Sequence, residues 1–356
     1  MKKILIYLLI AILPVFVNSC GPDDPDPEVT TNIVEVLNDI SDVTTWYSDS
    51  IYVIKVYDFY VSNTLNIQAG TVIKFTDDGP YMMLGSGGTV NAIGTSDNPI
   101  IFTSYKDDAH GGDTNGDETG TSPARKDWGR ISTNDNNGSI FTYCEFYYGG
   151  DGSYTSTLEV YGNNVQVKNC TFAHNAGDDG TGWYGALDAN YAGSGCTITG
   201  NIFFDNVRPF SVNLLVDIDD SNVFFNPDDQ SVGNTYNGIF VETGDDLDAA
   251  LSWMETEVPF VIDDNDWWIN SGASLTLGNN VILKFRPGSA MVLDDTDAII
   301  NHDGTGVYFT SYKDDVHGGD TNADDDSTLP GTGDWIGIYD NNEDAYLAWS
   351  NILYSE

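Results

Sequence analysis

The chain has 356 residues, 55 of them acidic against 13 lysines and arginines, and a formal net charge of −42. Such a surface repels nucleic acid, whose binding needs basic side chains to neutralise phosphates, and it repels polyuronates for the same electrostatic reason. Self-repulsion on this scale burdens a folded state unless cations bind or the charges spread over a large surface.

The N-terminus opens with Lys2 and Lys3, runs apolar from Ile4 to Val17 and reaches Ser19-Cys20. That run is too short to span ~30 Å of hydrocarbon and reads as a secretory signal. A small residue before Cys20 resembles a bacterial lipobox, which implies a lipoprotein signal peptide over 1–19, removed on maturation, and an acylated Cys20 anchored in outer-membrane lipid. Residues 20–30 hold three prolines and no large apolar side chain, so they predict an extended acidic tether. The acidic residues behind Cys20 resemble the surface-export signal of Bacteroidota lipoproteins, which implies the outer face of the outer membrane rather than the periplasmic one. Cys144, Cys170 and Cys196 remain; they read as core thiols, with a Cys144–Cys170 disulfide as the alternative.

One block then appears twice: Phe102 to Asn115 reads FTSYKDDAHGGDTN, and Phe309 to Asn322 reads FTSYKDDVHGGDTN. Each is followed by Asp-Trp, at Asp127-Trp128 and Asp334-Trp335. The match extends upstream, where Trp46 pairs with Trp253, and Val72-Ile73-Lys74-Phe75 with Ile282-Leu283-Lys284-Phe285. Self-similarity of this kind predicts one structural unit stacked on a copy of itself. We divide the chain into unit 1 with additional coils over 31–236 and unit 2 over 237–356, continuous with it. The second copy stops at Glu356 where the first goes on into further coils, which leaves either a shortened chain or an end that pairs with another segment.

Within each copy the apolar runs are short, rich in β-branched and aromatic residues, and show period-two spacing such as Leu158-x-Val160 and Val165-x-Val167; they predict strands. One helix is expected, over Asp245–Glu257, where Leu247, Ala250, Leu251 and Met254 share a face. Between the copies, Val165-x-Val167-x-Asn169-x-x-Phe172-x-x-Asn175 is echoed by Cys196-x-Ile198-x-Gly200-x-x-Phe203-x-x-Asn206. One apolar cluster and one Asn-rich corner per period predict a parallel β-solenoid, each coil ~4.8 Å above the last. The stretches Ala69-Gly70-Thr71-Val72-Ile73-Lys74-Phe75, Gly88-Thr89-Val90 and Pro99-Ile100-Ile101-Phe102-Thr103-Ser104 resemble the right-handed parallel β-helix proteins of the pectate-lyase-like superfamily. The resemblance implies an all-β fold, a single right-handed parallel β-helix, here with two acidic loop insertions. It does not select an activity, because that scaffold carries lyases, hydrolases and adhesins.

Chemistry is concentrated in the insertions. Asp107, Asp108, Asp113, Asn115 and Asp117 cluster in one, and Asp314, Asp315, Asp320, Asn322 and Asp324 in the other. Calcium takes six to eight oxygens, and Asp113-x-Asn115-x-Asp117 matches the first half of an EF-hand loop. The second half departs from it: Glu118 and Asp325 stand where that loop has glycine, and Ala124 and Gly331 where it has glutamate. These residues are the candidate Ca²⁺ ligands, set against a solvated turn shaped by Asp, Asn and Gly. His110 and His317 read as hydrogen-bonding loop residues rather than ligands.

Asp178-Asp179-Gly180 resembles the paired carboxylates of polygalacturonase-type hydrolases and makes Asp178 and Asp179 the candidate catalytic pair, although the accompanying motifs are missing. Arg125, Arg130, Lys168, Arg208 and Arg286 lie in no lyase motif. Lys74 and Lys284 read as stems packed along the wall. Tyr147-Tyr148, Tyr154, Tyr161, Trp183-Tyr184, Tyr191 and Trp267-Trp268 are candidate sugar platforms, and Trp128 and Trp335 candidate core wedges. The expectation is a non-catalytic, lipid-anchored surface protein, stabilised by calcium and binding a glycan or protein partner; the alternative is a polysaccharide hydrolase or lyase.

Overall fold

The structure is a computed structural model that describes residues 32–76, 79–134, 138–151, 156–177, 184–262, 266–325 and 327–356. Cys20, Asp178, Asp179, Tyr154 and Trp183 lie outside these. All regular structure among the described residues is β, and nearly every strand pairing is parallel.

Short apolar runs broken by Gly, Asn and Asp form strands of two to six residues. Val72–Phe75 joins a first sheet, Tyr81–Leu84 a second, Thr89–Ile93 a third, and Ile100–Ser104 returns to the first. The cycle repeats, so each strand lies beside the one a full coil earlier, as a β-solenoid requires. The first sheet has seven strands, the second ten and the third six, with two shorter sheets built from the second copy. Alternation decides what points inward: Leu65 and Ile67 are buried while Thr64 and Asn66 are half-exposed. Inside, Phe102, Phe146, Phe172 and Phe203 stack in a column with ring centroids 5.0, 4.7 and 5.2 Å apart. Those steps match the ~4.8 Å between hydrogen-bonded strands.

The Asn-rich corners form ladders. Tyr148, His174 and Asp205 turn the chain with φ of 65°, 59° and 49°. After them, Gly149 N donates to Asn175 Oδ1 (2.9 Å) and Asn175 N to Asn206 Oδ1 (3.1 Å). The Nδ2 groups of Asn175 and Asn206 donate back to Phe146 O and Phe172 O, both at 2.8 Å. A second ladder runs through Asn201 and Asn222. The amide thereby satisfies backbone groups that a corner would otherwise bury unpaired.

The two copies do not occupy equivalent faces. Asn32–Val36, Ser50–Ile54, Val72–Phe75 and Ile100–Ser104 belong to the first sheet, whereas their counterparts Ile239–Val241, Phe260–Ile262, Ile282–Phe285 and Tyr308–Ser311 extend the second. The second copy is thus shifted by one face, and the ten-stranded sheet runs through both copies. Residues 32–356 form one compact unit.

The helix expected over Asp245–Glu257 is not formed. Ala250–Trp253 is a strand, with Leu251 registered on Leu275 and Trp253 on Leu277. Trp253 stacks on Phe260 at 4.4 Å, so coil stacking outweighs a local helical pattern. Near the end, Ala345–Tyr346 pairs antiparallel with Gly337–Asp340, and Ile352 bridges Phe309.

Candidate functional site

Each insertion follows a matched strand and is closed at its base by the same contacts. Ser104 Oγ donates to Asp127 Oδ2 (2.7 Å) and Lys106 Nζ reaches Asp127 Oδ1 (3.0 Å). In the second copy Ser311 and Lys313 hold Asp334 at 2.8 and 2.7 Å. Trp128 and Trp335 then enter the core, stacked on Phe75 and Phe285 at 4.2 and 4.0 Å. Both are the wedges expected.

Above the base sits a clasp. Asp107 Oδ2 accepts from Thr103 Oγ1 (2.6 Å) and lies 2.6 Å from His110 Nδ1, while Oδ1 accepts from Ala109 N (3.1 Å). Asp314 repeats this with Thr310 (2.5 Å), His317 (2.7 Å) and Val316 N (3.1 Å). Burial pushes the Asp107 carboxyl up, but the hydrogen bonds from His110 and Thr103 outweigh it and hold the group below its ordinary value. The same bond raises His110.

Under each clasp lies a lysine on the outer side of a strand. Lys74 Nζ donates to Asp107 O (2.7 Å) and Gly112 O (2.8 Å). Lys284 Nζ donates to Gly319 O and, at 3.1 Å, to Thr321 Oγ1. Both side chains are fully buried; burial lowers Lys74 and pushes Lys284 down to about 8. The insertions therefore fold back over the wall and cover these lysines, which corrects the reading of simple stacked stems. Gly111, at φ +79°, comes so close that a Cβ there would meet Ile51 Cδ1 at 2.5 Å.

The distal part is the EF-hand-like turn. Asp113 accepts from Gly116 N (2.7 Å), Asp117 N (3.3 Å) and Glu118 N (2.8 Å), and the Glu118 bond in particular lowers its pKa. Asp320 accepts from Asp324 N (3.3 Å) and Asp325 N (3.0 Å). Glu118 and Asp325 take φ of 61° and 52°, so the sixth position adopts a left-handed turn without glycine. In the second insertion Asp315, Asp320 and Asp324 bring carboxylate oxygens within 4.8 Å of one another. Their counterparts Asp108, Asp113 and Asp117 do not make such a group, and Asn115 holds Thr121 at 3.0 Å. Asp108 Oδ1, Asp117 Oδ1 and Asn322 Oδ1 are buried acceptors without a hydrogen-bond partner. Asp107 and Asp314 stand apart, engaged in their clasps.

A polar row unmarked in the sequence crosses the outer side of the second sheet. Ser132, Glu159, Asp188 and Ser211 are in register on successive strands. Arg130 Nε lies 3.6 Å from Glu159 Oε2, and Asp188 Oδ1 accepts from Asn190 N (3.0 Å) and Ser211 Oγ (3.2 Å). Burial pushes Asp188 up to about 7. Farther along, Arg208 lies 4.0 Å over the Phe240 ring and Arg286 5.3 Å over Tyr312. Asp188 is wholly covered and Glu159 nearly so.

Of the aromatic candidates, Trp267 is core and Tyr147 and Tyr148 pack against His110 and His174. Tyr161 and Tyr191 are exposed and lie 5.0 Å apart. Cys144, Cys170 and Cys196 are free thiols, the first two buried. Compared with family models, curated proteins and solved structures, the chain matches none.

Proposed function

We propose that the chain is a non-catalytic, lipid-anchored cell-surface protein wound as a single right-handed parallel β-helix, stiffened by calcium and presenting its outer faces to glycan or protein partners. The observation that carries the calcium is the convergence of Asp315, Asp320 and Asp324, with Asn322 Oδ1 buried and unpartnered beside them. Three carboxylates held this close repel one another, and beyond the charge of Lys284, which acts on Asp315 and Asp320, a cation between them would relieve that repulsion. Hard oxygen donors with variable spacing suit Ca²⁺ better than Mg²⁺, which demands near-octahedral geometry. Anchoring rests on Cys20 and the tether behind it.

A ligand that prefers the folded state raises the melting temperature, by about 2.7 kcal/mol of stability at a hundredfold excess over Kd. The protein should therefore melt several degrees higher in millimolar Ca²⁺ than in chelator, and Asp320→Asn with Asp324→Asn should abolish most of the difference. An identical midpoint in both buffers removes the ion from the proposal.

A further inference from the structure

A cleft of about 390 Å³ opens on the second sheet, lined by Tyr184, Asn190, Tyr191, Glu242, Gly244 and Asp245. It sits where that sheet is irregular. Glu159 is registered on Asp188 but Tyr161 on Tyr191, so the strand Leu187–Ala192 carries one extra residue opposite Val160. Such a bulge re-aims side chains; here it brings Asn190 to the cleft wall and leaves Tyr191 outward against Tyr161. Asn213 Nδ2 fixes the bulged backbone through Asn190 O (3.0 Å) and Ala192 O (2.8 Å). Glu242 is held in place by Gly244 N at 3.1 Å.

We infer that this cleft binds an alkylammonium group, its charge against Glu242 and Asp245 and its carbon shell on the Tyr191 and Tyr184 rings. No lysine or arginine is among the described lining residues, and the surrounding chain has a net charge of −42. That potential excludes anions and gives a neutral ligand no advantage. Tyrosine faces carry negative quadrupole density and attract cations, most strongly soft organic ones, whereas a small inorganic ion would want a cage of oxygens instead. The inference deepens the reading of the outer face as a partner-binding surface and rests on it; it names the chemistry a partner would carry, a primary ammonium of lysine type or a quaternary headgroup of choline type.

The test is titration of the mature protein, in chelator and at constant ionic strength, with butylammonium and separately with tetramethylammonium chloride. Calorimetry should show saturable one-site binding of at least one probe, and which binds more tightly separates the primary from the quaternary source. Tyr191→Ala and Glu242→Gln should each weaken binding by roughly tenfold while leaving the melting temperature unchanged. Tyr191 is 51% exposed, so its truncation leaves the core intact. Heats that never saturate, or are equal in wild type and variants, would overturn the site as mere counterion attraction. Because chelator is present throughout, loss of the calcium site in the insertion would show only in the melting comparison, and loss of this site only in the titration.

Discussion

At the scale of single residues, the His110–Asp107 clasp makes a pH-dependent contribution whose sign follows from the two shifts. His110 is raised by its bond to Asp107, so what it adds is full below the ordinary histidine value of about 6.5 and lost as pH climbs through the folded value. Asp107 is lowered, so what it adds is present above the ordinary carboxylate range and lost as pH falls through its folded value. The clasp is therefore strongest in mildly acidic solution. His110→Ala should cost about 1–3 kcal/mol at pH 6 and clearly less at pH 9, read from urea denaturation at both values. An equal loss at both would mean that His110 acts through packing on Tyr147 and not through its proton. The sequence made the histidines legible as hydrogen-bonding residues, because a His three positions after an Asp in a turn has a partner at hand. It did not reveal what Lys74 and Lys284 do. Their burial depends on an insertion folding back over them, a contact more than thirty residues distant along the chain. Glu159 and Asp188 were missed for a related reason: period-two alternation assigns them to solvent, and only tertiary cover buries them.

At the scale of elements, the strands and corners were the most legible part, since each coil must satisfy the same constraints as the last and writes the same pattern. The repeat at Asn175 and Asn206 is such a constraint made visible: each amide bonds both to its own coil's predecessor and to its successor. Asn206→Ala would strip Asn175 N of its acceptor and Phe172 O of a donor inside the wall. We expect a loss of roughly 3 kcal/mol, seen as a lower urea midpoint with an unchanged slope, because unpaired buried backbone groups cost more than the bonds themselves contribute. Asn234→Ala, at the half-buried end of the ladder, should lose less; equal losses would mean that the ladder's position is irrelevant. The mistaken helix over Asp245–Glu257 shows how a local pattern deceives. Leu247, Leu251 and Met254 fit a helical face by spacing, yet Trp253 aligns with Trp46 in the first copy, and Trp46 ends a strand. The duplication sets Leu251–Trp253 opposite the strand Thr44–Trp46, and these residues lie in the strand Ala250–Trp253.

At the scale of the whole molecule, the one-face shift between copies could not be read from either copy alone. It depends on how many coils the intervening segment adds and where Val223 rejoins the first sheet beside Ile202. Its consequence is that the two insertions, nearly identical in sequence, leave from different sheets and cover different walls: one lies over Ile51 and Lys74, the other over Pro259 and Lys284. Acidic segments distributed in this way keep the charge of −42 from concentrating on a single face. In a solenoid each coil interacts mainly with its neighbours, so perturbations several coils apart should add. The double variant His110→Ala with His317→Ala should accordingly lose the sum of the two single losses to within about 0.5 kcal/mol, measured at one pH by urea denaturation. A coupling well beyond that would mean the clasps communicate through the core column, and the two copies would then have to be regarded as one cooperative device rather than two separate locks on a continuous wall.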